Sequence, residues 1–328
     1  SLSNDLFQTS EYELNFFSNN ITNQKDENIN KIKTKSFKII LEKILSNNNY
    51  KKIERDINLS FVNKFILNIK VENEKIINNN YYSKIKINFN KNLIIDYFIE
   101  KEISYIDHSP EKFLLVIYDE NDFGKNFLSK NNVYYKFIRN NKNVKFNDIF
   151  TLPNLDFNDR YIINQNDLGS DYLNKINLLG NKYNSKYKIF IHSKNFNNIN
   201  NIFIYLISND IQILIGEKKI DNINYKELLI NSHYLAVDKW KHLNQIDTSI
   251  LNILDCKINI NNINELKFVR NILLNNRIIK KFDLKSIMYN ENVYNIAYYG
   301  NLEVFKTSLE SDRLKLLILN NQCSIKLI

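Results

Sequence analysis

Within residues 65–103 the apolar period changes from that of a strand to that of a helix, and few arrangements can bury both. Leu67, Ile69 and Val71 alternate with Asn68, Lys70 and Glu72. After Asn78-Asn79-Asn80, the residues Tyr81, Ser83, Ile85, Ile87 and Phe89 alternate with Tyr82, Lys84, Lys86 and Asn88. A period of two with one apolar side predicts a half-buried antiparallel hairpin. Leu93, Ile94, Tyr97 and Phe98 then recur at helical spacing behind Asn90, a residue suited to cap a helix N-terminus. A one-sided hairpin and a one-sided helix bury their apolar surfaces against each other, which is an α+β layer.

The flanking chain extends this pattern. Residues 11–18 alternate as a first strand, and 25–45 form an amphipathic helix with Ile29, Ile32, Phe37, Ile40, Leu41, Ile44 and Leu45 on one stripe. A short helix is expected at 53–62. Beyond Pro110, residues 113–118 read as a strand apolar on both faces. The order βαββαβ predicts a ferredoxin-like module. The last third repeats it: strand 251–260, helix 263–275, a hairpin of 278–289 and 292–299 across Asn290-Glu291, a helix after Gly300-Asn301, and a closing pair at 314–319 and 322–327. Between them, a helix is expected at 122–130, weak strands at 135–139 and 148–152, and a turn and cap at Asp167-Leu168-Gly169-Ser170. A helix at 172–183, a strand at 187–192, a hairpin of 201–208 and 211–216, and a helix at 224–244 follow. The expected organisation is a ferredoxin-like module over 1–112, a small α/β domain over 113–247 and a second ferredoxin-like module over 248–328.

Composition bears on function mainly by exclusion. The 328 residues carry a net charge of +9, with 5 Gly and 2 Pro. Abundant Asn, Ile, Lys, Tyr and Phe, with Ala236 and Ala297 as the only alanines, reflect A/T-rich codons. Lys31, Lys33, Lys35 and Lys38 lie near Asp26 and Glu27 on one helix and read as its solvated face. No run of about 18 apolar residues marks a membrane span. Cys256 and Cys323 stand outside any CxxC and read as buried free thiols. A disulfide requires the strands carrying them to be neighbours, as the first and last strands of a βαββαβ module usually are.

No catalytic, cofactor-binding or metal-ligating residue is expected. The cluster Asp119-Glu120-Asn121-Asp122-Phe123-Gly124 has Phe123 and Lys130 where a calcium loop needs oxygen ligands, so it reads as a solvated turn. His108, His192, His233 and His242 form no HExxH pair, and His192 reads as a structural imidazole on a buried strand. Neither a glycine-rich phosphate loop nor a GxSxG elbow occurs. The basic, aromatic strand at 81–86 invites a second reading, single-stranded RNA binding. On it Tyr81 faces the core, leaving Tyr82, Lys84 and Lys86 as candidate interaction residues.

Several of these features together carry a family likeness. A strand followed by Glu74 precedes one that opens Tyr81-x-Ser83 and closes on Phe89, and Pro110 precedes the strand at 113–118. Leu152-Pro153, Asp167-Leu168-Gly169, the Lys182-Tyr183-x-x-x-Tyr187 approach to a strand, and Tyr299-Gly300 before a helix complete the pattern. Over nearly its whole length the chain resembles the exported proteobacterial proteins grouped as domain of unknown function 2066. That resemblance implies a signal peptide cleaved before Ser1 and residence in the periplasm. It transfers no catalytic residue. The resulting expectation is a non-enzymatic periplasmic protein that meets an envelope protein partner through exposed sheet edges, with RNA binding as the alternative.

Overall fold

A computed structural model describes residues 6–141, 143–164, 172–197, 199–209, 211–258, 262–288, 291–320 and 322–328. The expected turn and cap at Asp167-Leu168-Gly169-Ser170 lie outside the described residues, as do Asp210 and Asn290 of two predicted hairpin turns. The fold is α+β, and the chain divides into two compact units, Ser1–Ser109 with Lys241–Ile328, and Pro110–Trp240.

In the first unit the N-terminal segment runs β1 (Tyr12–Phe17), α1 (Ile21–Ile44), α2 (Asn47–Ile53), α3 (Leu59–Asn63), β2 (Ile66–Ile77), β3 (Asn80–Phe89) and α4 (Lys91–Glu100). The strands form an antiparallel sheet in the order β1-β3-β2. The β2–β3 turn is short because Asn78 and Asn79 adopt φ of 48° and 62°, the left-handed pair of a type I′ turn. Phe37 of α1 is buried between Phe65 and Phe89, 5.3 Å from each ring centroid. Asn90 caps α4, accepting from Asn92 N and Leu93 N. A bulge between Glu72 and Lys75, with Asn73 at φ 55°, turns Glu74 toward Tyr81. There it accepts from Lys25 at 2.6 Å and from the Tyr81 hydroxyl at 2.8 Å.

The second unit contains β4 (Phe113–Asn121), β5 (Gly124–Phe127), α5 (Val133–Asn140), α6 (Phe146–Ile149), β6 (Phe150–Thr151), α7 (Phe157–Ile162) and α8 (Tyr172–Lys182). After these come β7 (Tyr187–Phe196), β8 (Ile199–Ser208) and β9 (Ile211–Ile220), then α9 (Tyr225–Asn244), whose last turn from Lys241 belongs to the first unit. Its sheet has the order β5-β4-β7-β8-β9, with β6 beside β4. β4 and β7 are parallel, and the remaining pairs along that path are antiparallel.

The first unit is completed by β10 (Leu251–Ile258), α10 (Ile263–Asn275), β11 (Ile279–Met288), β12 (Glu291–Tyr299), α11 (Leu302–Ser311), β13 (Leu314–Leu319) and β14 (Gln322–Leu327). These strands order as β11-β12-β10-β14-β13. Within this unit, Tyr105 and Ile246 exchange backbone hydrogen bonds of 3.3 and 2.7 Å. Lys241, 8% exposed, donates to the carbonyls of Glu42 and Leu45 at the end of α1.

Five expectations change. The strand expected to close the first βαββαβ plan, β4, pairs instead in the second unit's sheet, leaving a three-stranded sheet behind. Phe113 to Tyr118 are all buried, so β4 needs cover on both faces, which a one-sided sheet does not offer. In the C-terminal sheet β14 lies parallel to β10 and separates it from β13, a departure from the all-antiparallel plan. The helix expected at 122–130 is the strand β5, paired back on β4 after a turn in which Gly124 adopts φ 146°. Residues 135–139 are helical, since Asn132 caps α5 and Tyr134, Tyr135 and Ile138 bury one face of it. Finally, Cys256 and Cys323 are opposed across β10 and β14 and form a disulfide with a Cα–Cα distance of 4.5 Å, so they are not free thiols.

Candidate functional site

Alternation along β4 and β7 sends their side chains to two faces of the second sheet. Leu114, Val116, Tyr118 and Glu120 share one face with Lys188, Phe190, His192 and Lys194. At the back of this face Gly180 of α8 sits directly over Lys188, where a Cβ would lie 2.8 Å from the lysine Cδ and from Ser185 O. At the front, toward the C-terminal ends of the parallel pair, the face opens into a cleft of about 400 Å³ with Tyr172 of α8 among its lining residues. The crevice beyond the carboxyl ends of parallel strands is the usual ligand position in sheets of this kind.

Glu120 is the centre of the cleft. His192 Nε2 lies 3.1 Å from its Oε2, the Tyr118 hydroxyl donates to its Oε1, and Lys125 Nζ of β5 is 3.4 Å away. The His192 ring lies over Tyr118 with centroids 4.8 Å apart. Burial alone would push the Glu120 pKa up, but donation by Tyr118 and His192 outweighs it and holds the carboxyl below its ordinary range. Burial holds the His192 imidazole down, against the opposing pull of Glu120. Burial and the bond to Glu120 raise the Tyr118 phenol. At neutral pH the pair is therefore a carboxylate and a neutral imidazole that donates through Nε2 and keeps Nδ1 as an acceptor.

The opposite face at the same sheet end carries a second polar group. Asp119, 3% exposed, is opposed to Ser193 in the β4–β7 register. The buried hydroxyls of Ser193 and of Tyr134 on α5 make no hydrogen bond of good geometry. Burial raises the Asp119 carboxyl above its ordinary value, with Ser193 and Asn121 opposing. The stretch read as a solvated turn is thus the wall of two polar clusters, one on each side of the sheet.

Further back, Lys188 is 1% exposed and donates to Asn177 Oδ1 at 2.6 Å and Lys186 O at 3.0 Å. Burial holds its pKa down to about 8, from an ordinary value of 10.5. The unfolded chain binds the extra proton between these two values, so Lys188 makes stability rise with pH across that window. Denaturant midpoints measured from pH 7.5 to 10 are expected to climb relative to a Lys188→Met variant. Parallel curves for the two proteins would count against this assignment.

Tyr82, Lys84 and Lys86 lie together on the outer face of β3, with Tyr82 38% exposed. Acids interleave with them. Lys84 donates to Glu11 at 2.7 Å and is opposed to Glu13 and Glu72 in register, while Lys86 is opposed to Lys70. His233 is half-buried on α9 against Phe113 and Phe150, at 5.9 and 5.5 Å. A shallow trough of about 770 Å³ runs along α1, with Lys31, Lys35 and Lys38 between Glu27 and Glu42. Among the described residues, no group of three or more His, Cys, Asp or Glu could hold a metal ion, and no helix is long and apolar enough to cross a membrane.

Sequence reasoning missed the Glu120–His192 pair. Each residue ends an apolar run, which is a weak signal. Their meeting depends on β4 and β7 being parallel neighbours with Tyr118 opposite His192, which no local pattern encodes. No family model matches the chain, and no curated protein matches it either.

Proposed function

We propose that this is a non-enzymatic protein of the bacterial periplasm that acts through contacts with another envelope protein. The observation that carries the reading is the edge strand β2. It is twelve residues long, pairs among the described residues on one side only, with β3, and exposes Leu67, Val71, Ile76 and Ile77, three of them above half. An open strand edge flanked by aliphatic side chains recruits an extended segment by backbone hydrogen bonding, with side-chain pockets setting the choice of partner. The bulge at Asn73 interrupts this edge and limits pairing to the runs on either side of it. The Cys256–Cys323 disulfide supports an oxidising compartment. The family likeness, which rests on the motifs around Tyr81, Ser83 and Phe89, points to the same compartment.

The test is a photo-crosslinking side chain at Val71 in cells that export the precursor. A discrete adduct with one envelope protein is expected, and it should disappear when Leu67 and Ile76 are both replaced by lysine. Thiol labelling of the same cells should reach Cys256 and Cys323 only after reduction. Equal crosslinking from Lys31 on α1, or adducts indifferent to the lysine pair, would sink the edge reading. The alternative, RNA binding through Tyr82, Lys84 and Lys86, meets a face shared with Glu11, Glu13 and Glu72. It requires salt-sensitive binding that is lost in Tyr82→Ala.

A further inference from the structure

The cleft around Glu120 and His192 has a donor–acceptor imbalance that specifies a kind of ligand. Phe190 sits among three other rings, with centroids 6.1 Å from Tyr172, 6.3 Å from His192 and 6.2 Å from Tyr205. Tyr172, His192 and Tyr205 are half-buried, so they keep part of their surface toward the opening. Rings gathered in this way bind another ring through its face, whether a planar base or the C–H face of a sugar. A volume of about 400 Å³ lies within the range of small-molecule sites and admits one such ring with a substituent.

The polar groups at the rim decide what the substituent is. Glu120 already receives Tyr118, His192 and Lys125, so its oxygens have little left to offer a ligand. Gln212 of β9 accepts from the Tyr172 hydroxyl through Oε1, which leaves its amide nitrogen as a donor. Lys194 rests over Phe203, 5.9 Å from the ring centroid, with no carboxylate at ion-pair distance among the described residues. Among the described residues, two lysines against one carboxylate give the cleft an excess positive charge, and its unspent hydrogen-bonding groups are mostly donors. Among the described residues Glu120 is the only carboxylate lining it, which disfavours a cation.

We propose that this cleft binds a small ring-bearing anion, a sugar or nucleoside carrying a phosphate or carboxylate group. The ring lies among Tyr172, Phe190 and Tyr205, the anion meets Lys194 at the front, and the Gln212 amide, level with Lys188 in the β7–β8–β9 register, donates to a polar substituent at the other side of the ring. The neutral His192, fixed by Glu120, accepts one hydroxyl or N–H of the ligand through Nδ1. The site belongs to the second unit and stands or falls independently of the β2 edge, which belongs to the first.

The test is isothermal titration of the full chain with four probes: glucuronate, uridine monophosphate, glucose and inorganic phosphate. At least one of the two ring anions is expected to bind tenfold or more tightly than both glucose and phosphate. Which of them binds distinguishes a sugar from a nucleoside. Gln212→Ala and Lys194→Met, both changes at accessible side chains, should each weaken that binding at least fivefold while leaving the melting temperature unchanged. Shifts of the His192 ring protons in NMR on adding the probe give a second readout in the unaltered protein. Binding of phosphate as tight as that of the ring anions would reduce the site to a simple anion patch and overturn the proposal. So would the absence of binding by all four probes at millimolar concentration.

Discussion

Replacing Cys256 and Cys323 together by alanine is expected to destabilise the first unit by about 4 kcal/mol, the chain-entropy value for a loop of this size. The bridge joins residues 67 apart, so the unfolded chain loses the freedom of a long loop when it is closed. Both sulfurs sit in the core, at 0% and 3% exposure for the two residues, and the paired alanines also remove packing. The same loss should appear when the unaltered protein is unfolded in reductant. Urea melts followed by far-UV circular dichroism, with and without dithiothreitol, check both. A difference below about 1 kcal/mol in either experiment would mean that the parallel β10–β14 pairing holds the sheet closed without the bridge.

The second large effect is expected at Asp159. Its side chain is fully buried and both of its oxygens accept hydrogen bonds. Leu155 N donates to Oδ2 at 2.7 Å, Lys182 Nζ to Oδ1 at 2.6 Å, and the Tyr183 hydroxyl lies at 2.8 and 3.0 Å from the two oxygens. The Tyr183 oxygen in turn accepts from Asn154 N at 2.7 Å. One carboxylate therefore holds together the loop after Pro153, the start of α7 and the end of α8. It also fixes Leu155 in the left-handed region, at φ 59°, where a residue with a Cβ is strained. Asp159→Ala leaves the buried Leu155 N–H and the half-buried Tyr183 hydroxyl without their acceptor and frees that strain, and should cost about 3 kcal/mol. Lys182→Met should cost less, about 1 kcal/mol, because the lysine is partly solvated and the carboxylate keeps its other two donors. Denaturant melts of the two variants rank them. An Asp159→Ala change no worse than Lys182→Met would show that the loop finds other partners.

What could be read from the sequence was what local periodicity and capping encode. The alternation at 81–89 sent Tyr81, Ser83, Ile85, Ile87 and Phe89 inward, and all five are buried. The α1 stripe and the Asn90 cap were legible for the same reason. Three things were not. Whether residues 135–139 form a strand or a helix turned on Asn132 as a cap, since five residues with three apolar ones fit either period. The sheet that β4 joins is a choice between partners distant in sequence, and an all-buried strand is compatible with any two-sided position. The meeting of Glu120 with His192 and the Cys256–Cys323 bridge both follow from parallel pairings, between β4 and β7 and between β10 and β14. A parallel register has no turn to announce it.

The parallel pairing that brings Cys256 opposite Cys323 also closes the C-terminal sheet covalently into a ring of chain. A single proteolytic cut between the two cysteines, after Arg313 for instance, does not yield two separable pieces. The fragments stay joined in denaturant and part only when a reductant is added, so non-reducing gels would report an intact protein. The same closure makes the region between the cysteines a natural place for new chain ends. A permuted or split protein opened there starts with its first and last strands already tethered, and the association of its halves no longer depends on concentration.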